Sequence, residues 1–313
     1  MKVNLRIIIG ILCGVAMISC TSTVSEPNTS QIPIQFGTSV SRAAVNSASD
    51  MTAFSVWGGY DNVKLFEGTK VNNTASGWTY EGGDRYWVPD KTFNFYAVHP
   101  VFSADGPVAS VASDGTISVT NFDCSKTGSE AIDLMTAQKN GITYTGDTPP
   151  SPVDLKFSHE LAKVNFVVKS EGSDVVITNI SLIDAGYNGE LNNGLWTITS
   201  KSIQGTPETF TDSDITLSPD GTILEVFGGD MLLIPLNETD FKCKIELEYK
   251  YLYNGIYYES GLKEISLNAG TVKSWDKGGN YKYTITIPKF TEELQLQVEV
   301  LPWDKEENAS VEW

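Results

Sequence analysis

Residues 243–259 read CKIELEYKYLYNGIYYE. Cys243, Ile245, Leu247, Tyr249 and Tyr251 alternate with Lys244, Glu246, Glu248 and Lys250, the period of an extended chain with one buried face. Asn254-Gly255 follows, and Asn-Gly between two such runs is the strongest short-range hairpin signal, because both residues tolerate the positive φ of a type I′ turn. A long strand that turns back on itself in two residues announces an antiparallel sheet.

The same alternation extends outward. Downstream come Leu262, Ile265 and Leu267, then Tyr281, Tyr283, Ile285 and Ile287. Leu294, Leu296, Val298 and Val300 form the last clean strand before Leu301-Pro302-Trp303. Upstream lie Val175, Ile177, Ile180 and Leu182, then Val164, Phe166 and Val168, then Val153, Leu155 and Phe157. Residues 184–222 read as a loop-rich insert carrying Leu195-Trp196, and only Lys156 to Lys169 looks briefly helical. Thr148-Pro149-Pro150-Ser151-Pro152 is the clearest linker in the chain and places a domain boundary at 150/151. Before it, Phe54 and Val56 mark one strand, with two more expected around a turn at Asn72-Asn73. Phe93, Phe95 and Ala97 mark another, and residues 103–150 are mostly loop. Many strands without crossover helices predict an all-β chain of antiparallel sandwiches, one in 43–150 and one in 151–313.

With 313 residues, 41% apolar, the chain is long enough for two domains. Its net charge of −17 repels nucleic acid and anionic head groups, so neither is an expected partner. Cys13 and Cys20 lie near the N-terminus. Cys124 and Cys243, 119 residues apart, are a lone pair that makes no disulfide framework; one disulfide between them is open in an exported chain, and two separately buried thiols is the favoured reading. With two histidines and no Cys/His cluster, no metal or other cofactor is expected. Neither His99 nor His159 has a nucleophile motif beside it, and Glu292-Glu293 and Glu306-Glu307 sit in turn-like contexts. No catalytic residue is assigned and the chain does not read as an enzyme.

The N-terminus reads as a delivery device. Lys2 and Arg6 precede the apolar run Ile7–Ile18, about 12 residues where a membrane span needs about 20. Ser19-Cys20 closes it as a lipoprotein cleavage site does, so residues 1–19 are expected to be a signal peptide and Cys20 the lipidated (palmitate-type) N-terminus; the same residues also fit an ordinary secretory signal in which Cys20 is incidental. Residues 21–30 have linker composition, Ile32, Ile34 and Phe36 alternate as a short strand, and residues 40–47 are small and polar around Arg42. The pro-segment 20–42 thus places one strand between an anchor and a candidate protease site.

Tyr86-Trp87-Val88-Pro89 leads into Phe95-Tyr96-Ala97-Val98-His99-Pro100. Asp133-Leu134-Met135-Thr136-Ala137 follows, then Val153 through Val164, Trp275 through Thr284, and Pro302-Trp303. In this ordered set the chain resembles the fimbrillin-like lipoproteins, pilus subunits of Gram-negative gut and oral bacteria. The resemblance implies two transthyretin-like β-sandwich domains and a surface location, first as a lipoprotein precursor held at the outer membrane by its lipid and then in the fimbrium. It implies an Arg-specific surface proteinase cutting between Arg42 and Ala43, so that the strand within Ile32–Val40 is lost. A donor strand from another pilus subunit would fill the groove. It would come from segment 290–313 with Leu294, Leu296, Val298, Val300 and Trp313 as inserted side chains. Burying four or five of these at about 2 kcal/mol each would make a polymer that hardly dissociates. The residues alone also fit a permanent edge strand with Arg42 in an exposed loop. A tip adhesin or anchor that binds a host protein or glycan is the other role left open. So is a lipidated, monomeric glycan binder using loop-proximal Trp57, Trp78 and Trp196.

Overall fold

The structure is a computed structural model that describes residues 31–40, 51–146, 148, 150–203, 210–269, 271–289 and 293–303. Within them the chain is all-β, with two three-residue 3-10 turns at Gly128–Glu130 and Leu267–Ala269.

The first strands are β1 (Phe36–Val40), β2 (Ala53–Tyr60), β3 (Val63–Thr74), β4 (Gly77–Tyr80) and β5 (Lys91–His99). β6 (Val108–Val111), β7 (Ile117–Asp123), β8 (Met135–Tyr144) and β9 (Val153–His159) follow. Sheet I has the order β1-β9-β8-β5-β2-β3-β4. β9 lies beyond the Pro-rich linker, yet it pairs with strands that precede it. Sheet I therefore draws on both sides of the boundary expected at 150/151. A linker signal marks where the chain bends, while sheet membership is set by long-range pairing that alternation does not encode.

After Glu160-Leu161 come β10 (Ala162–Ser170), β11 (Val175–Ile183), β12 (Gly186–Asn192), β13 (Leu195–Lys201), β14 (Thr211–Asp212), β15 (Ile215–Leu217) and β16 (Leu224–Glu225). The series ends with β17 (Met231–Leu233), β18 (Lys244–Tyr253), β19 (Ile256–Glu259), β20 (Lys263–Ser266), β21 (Asn280–Ile287) and β22 (Gln295–Leu301). Sheet II runs β16-β10-β21-β22, with β17 also on β10. Sheet III runs β14-β11-β18-β19, with β15 on β11 and β20 on β18. Sheet IV joins the two halves in the order β13-β12-β7-β6.

The deciding hairpin forms as read. β18 and β19 pair antiparallel across Asn254 (φ 49°) and Gly255 (φ 76°). Four other local readings are corrected. The briefly helical stretch Lys156–Lys169 is β9 and β10, as the alternation of Val153–Phe157 and Val164–Val168 has it; Val164, Phe166, Val167 and Val168 are all buried, a strand covered on both faces, where Val167 blurs the period. The loop-rich insert holds the β12–β13 hairpin, which turns at Asn193-Gly194, a second Asn-Gly signal. Residues 103–150 hold β6, β7 and β8, and β3 runs through Asn72-Asn73 to turn at Ala75-Ser76.

Three apolar clusters result. Sheet I wraps around one that includes Phe36, Phe54, Phe66, Trp87, Phe95 and Phe157. Sheets II and III enclose the largest, around Phe166, Ile245, Trp275 and Tyr283. The third, with Val98, Phe122, Leu134, Leu161, Ile234 and Trp303, draws on strands of both halves.

Candidate functional site

The site is assembled around β1 because its side chains belong to the centre of the first cluster although its backbone lies at a sheet edge. β1 runs parallel to β9, from Phe36 opposite Val153 to Val40 opposite Phe157, and the Val153 amide donates to the Gln35 carbonyl at 2.7 Å. Just before it, the chain bonds to the other margin of sheet I. Ile34 N–H donates to the Arg85 carbonyl at 2.7 Å, and Trp87 N–H to the Ile32 carbonyl at 3.0 Å. The Tyr80 hydroxyl, at the end of β4, donates to the Ile34 carbonyl at 3.0 Å. Residues 32–40 thus bridge the opening between the two margins of a curled sheet.

Side chains fill the same opening. Ile34 is 1% exposed and Phe36 5%. The Phe36 ring sits 5.3 Å from Phe66, 5.7 Å from Phe95, 6.0 Å from Tyr80 and 6.1 Å from Phe54, in edge-to-face contacts throughout. The Arg85 guanidinium covers the Phe66 ring at 4.7 Å, and its Nε–H donates to the Leu65 carbonyl at 2.6 Å. Burying Ile34 and Phe36 is worth about 2–3 kcal/mol each. Removal of β1 exposes this aromatic trench and strips β9 of its ladder, since β8 meets β9 only at Met135–His159 and Thr136–Ser158. Tyr80, Arg85 and the Phe wall were not assigned to a site from the sequence; the alternating aromatics of β3 to β5 were their only signal.

Towards the other end of the chain, β22 is the edge of sheet II among the described residues, antiparallel to β21 from Asn280–Leu301 to Thr286–Gln295. Leu294, Leu296 and Val298 are half-buried and face Tyr249, Tyr251 and Ile265 of sheet III across a cleft of about 700 Å³. Val300, of the same parity, is 63% exposed. Trp303 ends the described chain, buried against His159 at 4.1 Å between ring centres. Cys20, Arg42, Ala43 and Trp313 lie outside the described residues.

Groups that could support other chemistry are tied into the structure. His99 Nδ1 is 2.8 Å from the Ala53 carbonyl, and burial holds its pKa below the ordinary 6.5. His159 Nδ1 is 2.9 Å from an Asp133 carboxylate oxygen. Cys124 and Cys243 are free and buried, and burial pushes both thiols up to about 12. Among the described residues no three His, Cys, Asp or Glu side chains are placed to hold a metal ion. Trp57, Trp78 and Trp196 are half-buried; Trp196 donates its Nε1–H to the Glu160 carbonyl at 2.8 Å.

Solved structures share this architecture. A fimbrial protein of Bacteroides vulgatus superposes with a TM-score of 0.60 at 19% identity, covering 86% of this chain and 99% of that one. A candidate cell adhesion protein of Parabacteroides distasonis gives 0.55 at 10% identity, over 88% of this chain and 98% of its own. One of Bacteroides uniformis gives 0.52 at 18%, over 87% and 99%. At such identities the likeness speaks for the fold. No curated protein matches the chain. The sequence profile described as Fimbrillin-like matches residues 36–303, from the first residue of β1 to the tryptophan stacked on His159, and the chain belongs to the fimbrillin-like family.

Proposed function

We propose that this protein is a structural subunit of a surface fimbrium, polymerised by exchange of its first strand for a strand of another subunit. The observation that carries the reading is the seat of β1. With the residues just before it, β1 closes the opening of sheet I: β1 ladders to β9 and seats the Phe36 ring, Ile32 and Ile34 bond to residues 80–87, and Arg42 follows the strand by two residues. In this reading the chain is exported as a lipoprotein acylated on Cys20, an Arg-specific proteinase cuts between Arg42 and Ala43, and β1 departs. The donor comes from segment 290–313 of a neighbour. The setting of β22 supports this: an edge strand over an open cleft leaves its own sheet at less cost than a central strand does.

Intact mass and N-terminal sequencing of surface-extracted protein, with a gel run before and after boiling, test the proposal. The expected result is a chain beginning at Ala43 in a ladder that resists detergent and collapses on boiling. A lipidated monomer beginning at Cys20 overturns the stalk reading. One observation favours a second role as a tip or surface glycan binder. Leu195, Trp196, Pro235, Asn237, Asp276 and Lys277 line a cleft of about 330 Å³ where an indole stands beside polar groups. Oligosaccharide-array binding that is lost in Trp196→Ala would establish it, and a blank array would remove it.

A further inference from the structure

We infer that the stack of His159 on Trp303 is a latch that holds β22 on its own sheet while β1 occupies β9, and releases it when β1 is lost. The relay begins in the pairing of β9. Val153–Phe157 are laddered by β1, and only Ser158 and His159 are laddered by β8. His159, the last residue of β9, is 4% exposed. Its Nδ1 lies 2.9 Å from Asp133, and its ring lies 28° from parallel to the Trp303 indole at 4.1 Å. Its Nε2 is buried without a hydrogen-bond partner, so the ring is positioned by Asp133 and by the indole.

Trp303 is 8% exposed and shares the third cluster with Leu134, Leu161 and Val98. One residue earlier, Asn280 Nδ2–H donates to the Pro302 carbonyl at 2.9 Å. Between these pins and its start, β22 has one ladder neighbour among the described residues, an open cleft under Leu296 and Val298, and an exposed Val300. A strand covered so loosely along its length depends on how its end is held. Loss of β1 frees the backbone of Val153–Phe157, and that freedom reaches the histidine two residues further on. His159 and Trp303 are thus positioning residues for strand exchange. The consequence rests on the polymerisation reading: a subunit offers its donor strand only after its acceptor groove has opened, and uncut precursors stay monomeric.

The test is hydrogen–deuterium exchange of the β22 amides in the full chain. A site-specific protease sequence is placed within residues 41–50, and the chain is studied at a dilution that keeps it monomeric, before cutting and after cutting and displacement of β1. Exchange in 295–303 is expected to rise roughly tenfold or more on strand loss, with the β11–β18 amides unchanged. Trp303→Ala is expected to exchange fast before cutting and to gain nothing from it, while Trp303→Phe, which keeps a stacked ring, restores the dependence on cutting. Should Trp303→Ala fail to fold, His159→Leu removes the stack at similar volume and is expected to do the same. Exchange in β22 that ignores loss of β1, or effects of cutting and of the variant that simply multiply, overturns the latch. A cut chain that forms no ladder while β22 exchange responds as expected overturns polymerisation and leaves the latch standing.

Discussion

The Tyr80 hydroxyl donates to the Ile34 carbonyl oxygen at 3.0 Å and so ties the last strand of sheet I to the segment that leads into the first. The same hydroxyl accepts from Arg85 N–H at 3.1 Å. Tyr80→Phe keeps the ring against Phe36 and Phe66 and removes both bonds. It is expected to cost about 1–2 kcal/mol in the strand-bearing chain, read as a lower denaturant midpoint at unchanged slope, and less once β1 has been removed.

Phe36→Ala empties the position where four aromatic rings converge. The expected loss is about 3–5 kcal/mol, together with faster departure of β1 after cutting, measured by denaturant melts and by mass spectrometry of the released peptide. A loss below about 1 kcal/mol would mean that the trench closes up without β1.

Val298→Asp separates the two settings of the donor strand. In the subunit's own sheet Val298 is half-buried over a water-accessible cleft, so the monomer is expected to lose about 1 kcal/mol. Inside a neighbour's apolar groove the same carboxylate would be desolvated at several kcal/mol. A normally folded monomer that forms no boiling-sensitive ladder is the expected outcome on the gel.

Cys124 and Cys243 are expected to stay unalkylated by iodoacetamide at pH 8 while the chain is folded, and both to be labelled in denaturant. Burial raises both thiols to about 12, so almost no thiolate exists at that pH and the sulfurs are sheltered as well. Peptide mass mapping reads each site separately.

His99 gives a pH dependence of defined sign. Desolvation lowers its pKa in the fold, so the unfolded chain, with an ordinary value near 6.5, binds the proton more readily. Its contribution is fully present above 6.5 and is lost as the pH falls through and below that value. His99→Gln is expected to flatten the difference in melting temperature between pH 7 and pH 5 relative to the parent chain.

Much of the local structure is legible in the residues. Alternation at 243–251 and the turn at Asn254-Gly255 define β18 and β19, and the alternating apolar side chains of 153–157, 281–287 and 294–298 define β9, β21 and β22, because a strand's period depends only on which faces meet water. In β10 the alternation of Val164, Phe166 and Val168 is blurred by Val167, because both faces of the strand are buried. The alternation Ile32-Ile34-Phe36 marks a strand beside Arg42, yet the strand itself is Phe36–Val40 and Ile32 and Ile34 bond to the other margin of sheet I; nor does it reveal their worth to the site, since the rings around Phe36 come from β2, β3, β4 and β5, gathered only by the curl of sheet I.

Composition and period by themselves determined an acidic all-β chain, the positions of most strands and their inward faces, since these depend on neighbours a few residues apart. Only the tertiary structure decided that β9 pairs with β1 across the Pro-rich linker, that residues 32–40 bridge the margins of sheet I, and that Trp303 comes to rest on His159, 144 residues distant in sequence. Those contacts join segments far apart in the chain. Their free energy is collected only after the intervening loops close, and no local pattern records which distant strand will be there to meet them.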